Sequence, residues 1–194
     1  MKYTNPILQF DFSDPDAIRV GNDFYMVASS FNYVPGIPLL HSKNLVEWEL
    51  INYVVDILPK EFDEVLHGEG LWAPSIRYHD SWFYCIIPDP DRGIYITKTQ
   101  DPYGKWEPMW CVVEGKGIID PCPIWKDDKC YMAVKVELAL THQLVYMRYR
   151  QILRSKFLRH IKLYMMVMII TLPLRDLSLI IVTVIFILCV LQVL

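Results

Sequence analysis

Short apolar runs broken by polar turn residues mark the first two thirds of the chain as strands rather than helices. Residues 17–20 and 24–29 flank Gly21-Asn22-Asp23, which predicts a hairpin. Residues 75–78 and 83–87 flank His79-Asp80-Ser81 in the same way, and 124–125 and 130–134 flank Lys126-Asp127-Asp128-Lys129. Further strands are expected after the first hairpin at 38–41 and 48–53, and after the second at 93–97 and 108–113. That makes about four strands per unit. No convincing stripe with a helical period of 3.6 stands before residue 138.

The units repeat. A proline precedes a tyrosine by the same step three times: Pro15 to Tyr25, Pro74 to Tyr84 and Pro121 to Tyr131. The anchors are 59 residues apart from Pro15 to Pro74 and 47 apart from Pro74 to Pro121. Four-stranded units of roughly 40–50 residues predict β-propeller blades. A β-sandwich is the alternative, but it does not explain the repeated hairpin.

In a propeller the first strand of each blade lies beside the central axis, so equivalent residues face one channel. Asp14 and Asp120 both precede the anchoring proline, while the middle unit has Ala73 there, after Trp72. Two carboxylates and an aromatic wall suit a sugar-cleaving pocket, where one carboxylate activates water or attacks and the environment tunes the other. Asp-Pro also simply opens turns, and the residues alone leave that reading open. Asp16, Asp89 and Asp91 read as turn or rim residues.

Read together, these segments resemble glycoside hydrolase family 43. The matching stretches are NPILQFDFSDPDAIRVGNDFYMVASSF, PGIPLLHSKNLVEWELI, GEGLWAPSIRYHDSWFY, DPDRGIYITKTQDPYGKW and GKGIIDPCPIWKDD, covering about residues 5–134. The resemblance implies an all-β, five-bladed propeller, of which about the first two to three blades are present, and an inverting β-xylosidase or α-L-arabinofuranosidase activity. It implies that Asp14 is the general base and that Asp120 raises the pKa of the general acid and orients it. Phe31 and Trp72 correspond to aromatic walls around the terminal sugar. The family's general acid is a glutamate several tens of residues beyond the position of Asp120. This chain carries no glutamate after Glu137, and Glu137 is too close to Asp120 to be that residue. The resemblance calls for an oligosaccharide substrate and no cofactor.

Composition divides the chain where the resemblance fades. Residues 1–137 carry 12 Lys+Arg and 21 Asp+Glu, whereas residues 138–194 carry 7 and 1. All 8 Gly and all 6 Trp precede residue 138, as do 12 of the 13 Pro. The expected organisation is therefore N-terminal blades over 1–137 and a basic, then apolar, tail over 138–194, with an uncharged, membrane-like run at 177–194. A frameshifted tail, a membrane anchor behind a basic flank and a diverged domain all fit that composition. The first would leave an inactive fragment, and a non-catalytic sugar-binding propeller fragment is a further alternative. A membrane is a partner only if the tail is genuine. The net charge of −3 gives no reason to propose nucleic acid. Five cysteines without paired short spacings argue against a disulfide framework or a zinc site, and no metal is expected. The N-terminus has no apolar h-region, so a cytoplasmic location is expected.

Overall fold

The computed structural model describes residues 2–62, 65–126, 129–138, 141–149 and 164–166. The described residues form twelve strands in three antiparallel four-stranded sheets. The first sheet holds β1 (Asp16–Val20), β2 (Asp23–Val27), β3 (Gly36–Ser42) and β4 (Trp48–Val55) in spatial order. The second holds β5 (Ser75–His79), β6 (Trp82–Asp89), β7 (Gly93–Thr99) and β8 (Trp110–Glu114). The third holds β9 (Ile118–Lys126), β10 (Lys129–Leu138), β11 (Thr141–Tyr149) and β12 (Tyr164–Met166). Among the described residues the only helical turn is a 3-10 turn at Lys60–Phe62. The run 177–194 lies outside the described residues, as do all positions in 138–194 apart from 138, 141–149 and 164–166. Among the described residues no helix is long and apolar enough to cross a membrane.

The repeat seen in the sequence is a repeat of register. Tyr25 pairs with Ile18, Tyr84 with Arg77 and Tyr131 with Ile124, so each tyrosine faces the third residue after its proline. Two-residue alternation then decides which side chains meet. On β6, Phe83, Cys85 and Ile87 join a core shared with Tyr25, Val27 and Leu39 of the first sheet. The intervening Tyr84 and Ile86 join a second core with Met132 and Val134 of the third sheet. The middle sheet is thus buried on both faces, as a blade between two blades must be. Ile76, Ile87 and Ile94 have no measurable exposure, and full burial of such a side chain stabilises by about 1.5–3 kcal/mol. The innermost strands are neighbours as well: β5 packs against β1 on one side and β9 on the other.

One prediction of local structure needs correction. Asp120-Pro121 does not sit ahead of a strand but within β9, which starts at Ile118. The ladder accommodates this with a register shift between Ala133 and Lys135, opposite Asp120-Pro121. A bulge of this kind absorbs a proline and re-aims the side chain beside it.

Candidate active site

Asp14 and Asp120 share an uncommon backbone conformation. Their φ values are +48° and +52°, in the left-handed region. Non-glycine residues enter that region rarely and at a cost, and a following proline restricts them further. Ala73, their counterpart in the middle unit, is not among the residues with positive φ. Phe31 has φ +54°, so three of the four residues expected at the site carry this conformation. The equivalence of the two Asp-Pro motifs is therefore conformational as well as sequential. Both carboxylate residues are exposed.

Short bonds tie together the segments that carry these four residues. The Ser29 hydroxyl donates to Asp14 Oδ2 at 3.0 Å, and the Ser29 amide donates to the Ser13 carbonyl at 2.9 Å. Two residues on, Phe31 and Leu71 exchange backbone hydrogen bonds, both of 2.9 Å, tying the first sheet's connection to the second's. A β-carbon on Gly70 would stand 2.7 Å from the Phe31 carbonyl oxygen, and φ at Gly70 is +95°, so this close approach requires glycine. The bridge brings Trp72 next to the Phe31 segment. Trp72 is held by its indole N–H on the Gly68 carbonyl at 2.9 Å and by its amide on the Pro88 carbonyl at 3.0 Å. Three residues further, the Ser75 hydroxyl donates to the Pro121 carbonyl at 2.5 Å, next to Asp120. Asp14 is thus linked through Ser29, Phe31 and Leu71 to Trp72, and through Ser75 to Asp120.

Several residues at this end were not singled out from the sequence. Ser29 supplies the hydroxyl partner of Asp14, and only proximity in the fold reveals it. Phe10 and Tyr33 are exposed aromatics on segments flanking Asp14 and Phe31. Asp16 is neither a turn nor a rim residue: it lies on β1 and its Oδ2 accepts the Arg77 Nη1 hydrogen at 2.5 Å and the Ile76 amide at 2.9 Å. Burial disfavours the Arg77 charge, yet the Asp16 carboxylate overrides it and the guanidinium pKa is raised. Asp89 does stand at a turn, closing the one between β6 and β7, but it is not an exposed rim residue. Its side chain is wholly buried, accepting the Asp91 and Arg92 amides at 2.8 and 3.0 Å and the Arg92 guanidinium at 2.9 Å. Burial nevertheless pushes the Asp89 pKa up. Asp91 does fit a rim position, facing Lys116 at 3.5 Å. Among the described residues no cluster of His, Cys, Asp or Glu could hold a metal ion.

Four-stranded antiparallel sheets stacked through their first strands, β1 on β5 and β5 on β9, have the blade architecture of a β-propeller. The profile of the Glycosyl hydrolases family 43 matches residues 3–156, and the chain belongs to that family. It is 40% identical over 133 residues to a xylosidase/arabinosidase of Butyrivibrio fibrisolvens, covering 66% of this chain and 25% of that one. It is 37% identical over 139 residues to a non-reducing end alpha-L-arabinofuranosidase of Bacteroides ovatus, covering 66% and 25%. Among solved structures, the Bacteroides ovatus xyloglucan PUL protein GH43B superposes with a TM-score of 0.63 at 31% identity, covering 76% of this chain and 29% of that one. A xylan beta-1,4-xylosidase from Bacillus halodurans superposes with a TM-score of 0.66 at 23% identity, covering 78% and 31%, and speaks to the fold. The chain spans about a quarter of the length of these curated relatives, and its three sheets correspond to the N-terminal blades of the family's fold.

Proposed function

We propose that this chain supplies the water-activating half of an inverting glycosidase that removes terminal xylose or arabinofuranose from xylan-type oligosaccharides. Asp14 is the general base: it takes a proton from water as the water oxygen bonds to the anomeric carbon. The glycosidic C–O bond breaks on the opposite face, and its electron pair leaves with the departing oxygen. That oxygen needs a proton when the leaving group is a sugar. Asp120 tunes and orients the donor of that proton, and Phe31 and Trp72 wall the terminal sugar. The observation that carries the reading is the matched left-handed geometry of Asp14 and Asp120 at one end of the stacked sheets. The names of the relatives support the substrate class.

These 194 residues include no glutamate after Glu137, so the expected proton donor is not supplied by this stretch. The chain by itself is therefore inactive on xylobiose. A leaving group that departs without a proton bypasses the missing donor. The test is steady-state hydrolysis of 2,4-dinitrophenyl β-D-xylopyranoside and the matching α-L-arabinofuranoside, beside xylobiose. The expected result is turnover of a dinitrophenyl substrate that Asp14→Ala abolishes, with none on xylobiose. Absence of Asp14-dependent turnover on every substrate overturns the reading for this chain. Xylobiose binding without such turnover would support a sugar-binding module instead, a reading favoured by the missing glutamate.

A further inference from the structure

One position breaks the repeat of register. The residue paired with the repeated tyrosine is isoleucine in the first and third hairpins, at Ile18 and Ile124, but arginine in the middle one. A charge stands where packing alone would call for a branched apolar side chain. Arg77 does not escape to solvent: 24% of its side chain is exposed. Instead its guanidinium reaches both neighbouring sheets. Nη1 donates to Asp16 Oδ2 on β1 at 2.5 Å, Nε donates to the Pro123 carbonyl on β9 at 3.0 Å, and Nη2 approaches Cys122 Sγ at 3.7 Å. The planar fork of arginine suits such divergent acceptors, and lysine would satisfy one of them at a time.

The acceptors are placed tellingly. Asp16 and Cys122 each directly follow an anchoring proline, two residues after Asp14 and Asp120 respectively. Ser75, at the same repeat position in the middle unit, donates to the Pro121 carbonyl. We infer that Arg77, with Asp16 and Ser75, is a positioning clamp that sets the separation of the Asp14 and Asp120 segments across the intervening sheet. This rests on the assignment of Asp14 and Asp120 to one reaction. A side chain that only filled space would serve equally well as isoleucine, as it does in the two flanking hairpins. The clamp acts through the backbone of the two Asp-Pro segments and touches no substrate. Because the site's carboxylates come from sheets that do not pair with each other, their spacing has no hydrogen-bonded ladder to hold it. The arginine on the sheet between them supplies that connection.

Arg77→Ile is the informative variant, since the repeat itself shows that isoleucine fits opposite the tyrosine. Spin labels introduced through a keto-bearing non-natural residue at exposed Ala17 on β1 and Lys126 on β9 leave the native cysteines untouched. Electron–electron double resonance then reads the separation of the first and third sheets in the full chain. The expected result is a narrow distance distribution in the parent that broadens or shifts in Arg77→Ile and in Asp16→Ala, with Arg77→Lys intermediate. Where dinitrophenyl xyloside is turned over, kcat falls on the order of 100-fold in Arg77→Ile at little change in KM, the scale of an ångström misplacement. Unchanged distances in a folded Arg77→Ile overturn the clamp and leave the Asp14 assignment standing. Loss of all turnover in the parent overturns that assignment, while the distances still decide the clamp.

Discussion

Replacing Asp89 by alanine tests how the second sheet is locked. The carboxylate has no solvent contact and three donors: two backbone amides and one guanidinium, at 2.8, 3.0 and 2.9 Å. A hydrogen bond to a charged group contributes about 1.5–3 kcal/mol, but the three do not add. Burial opposes the charge, which is why the Asp89 pKa is raised. The deletion also leaves donors without an acceptor, and breaking a buried pair costs about 3–5 kcal/mol. Relief is partial: Arg92 keeps its Nε bond to the Glu61 carbonyl at 2.8 Å and its position 4.8 Å over the Phe62 ring. The lower end applies, so Asp89→Ala should destabilise by about 3 kcal/mol. Asp89→Asn retains an acceptor for the amides and buries no charge, so it should cost about 1–2 kcal/mol. Lys116→Ala, which removes the exposed partner of Asp91, should cost under about 0.5 kcal/mol. The assay is urea unfolding followed by tryptophan fluorescence at low protein concentration. For a slope of about 2 kcal/mol/M the midpoint of Asp89→Ala falls by roughly 1.5 M. A midpoint within about 0.25 M of the parent would refute the reasoning, because the desolvation cost would then cancel the bonds entirely.

Other outcomes follow from the same geometry. Gly93→Ala should destabilise by about 2 kcal/mol or more, because its β-carbon would lie 2.0 Å from the Val113 carbonyl oxygen at φ +129°; the same urea titration measures it. Hydrogen bonds from Lys43 and His41 lower the Asp23 pKa below 3.8, so the carboxylate's contribution is present above that value and lost as pH falls through the lowered one. Asp23→Asn should accordingly flatten the acid limb of a stability–pH profile. Burial pushes the Cys130 thiol from 9.0 to about 12, so its contribution to stability is full below pH 9 and declines toward 12 as the unfolded chain ionises first. Alkylation of Cys130 by iodoacetamide at pH 9.5, read by peptide mass spectrometry, should be slow in buffer and fast in urea.

The strands were largely legible because turn chemistry is local. Gly21-Asn22 marks its hairpin, and the constant step from proline to tyrosine became a constant register. Equivalence of Asp14 and Asp120 could be read from the same step. What escaped depends on how the folded chain surrounds a residue, which the local pattern does not show. Asp16 looked like a turn residue because Arg77, 61 residues away, is invisible from its surroundings. Asp89 looked like a rim residue because it lies among Pro88, Pro90 and Asp91, yet the chain folds its own amides and Arg92 around it. Pro121 disguised β9, since a proline argues against a strand interior until a bulge in its own strand makes room for it, here Asp120 and Pro121 opposing Val134 alone.

A sheet buried on both faces has no independent existence. Removing the first sheet would bare Phe83, Cys85 and Ile87, and removing the third would bare Tyr84 and Ile86. The middle strands therefore report on their neighbours: amide protons of β6 should exchange only when the stack opens as a whole, later than those of β1 or β4. Drift under mutation is constrained in the same way. Along β6 no position faces water freely, so a neutral path through Phe83–Ile87 must pass by matched changes in a neighbouring sheet.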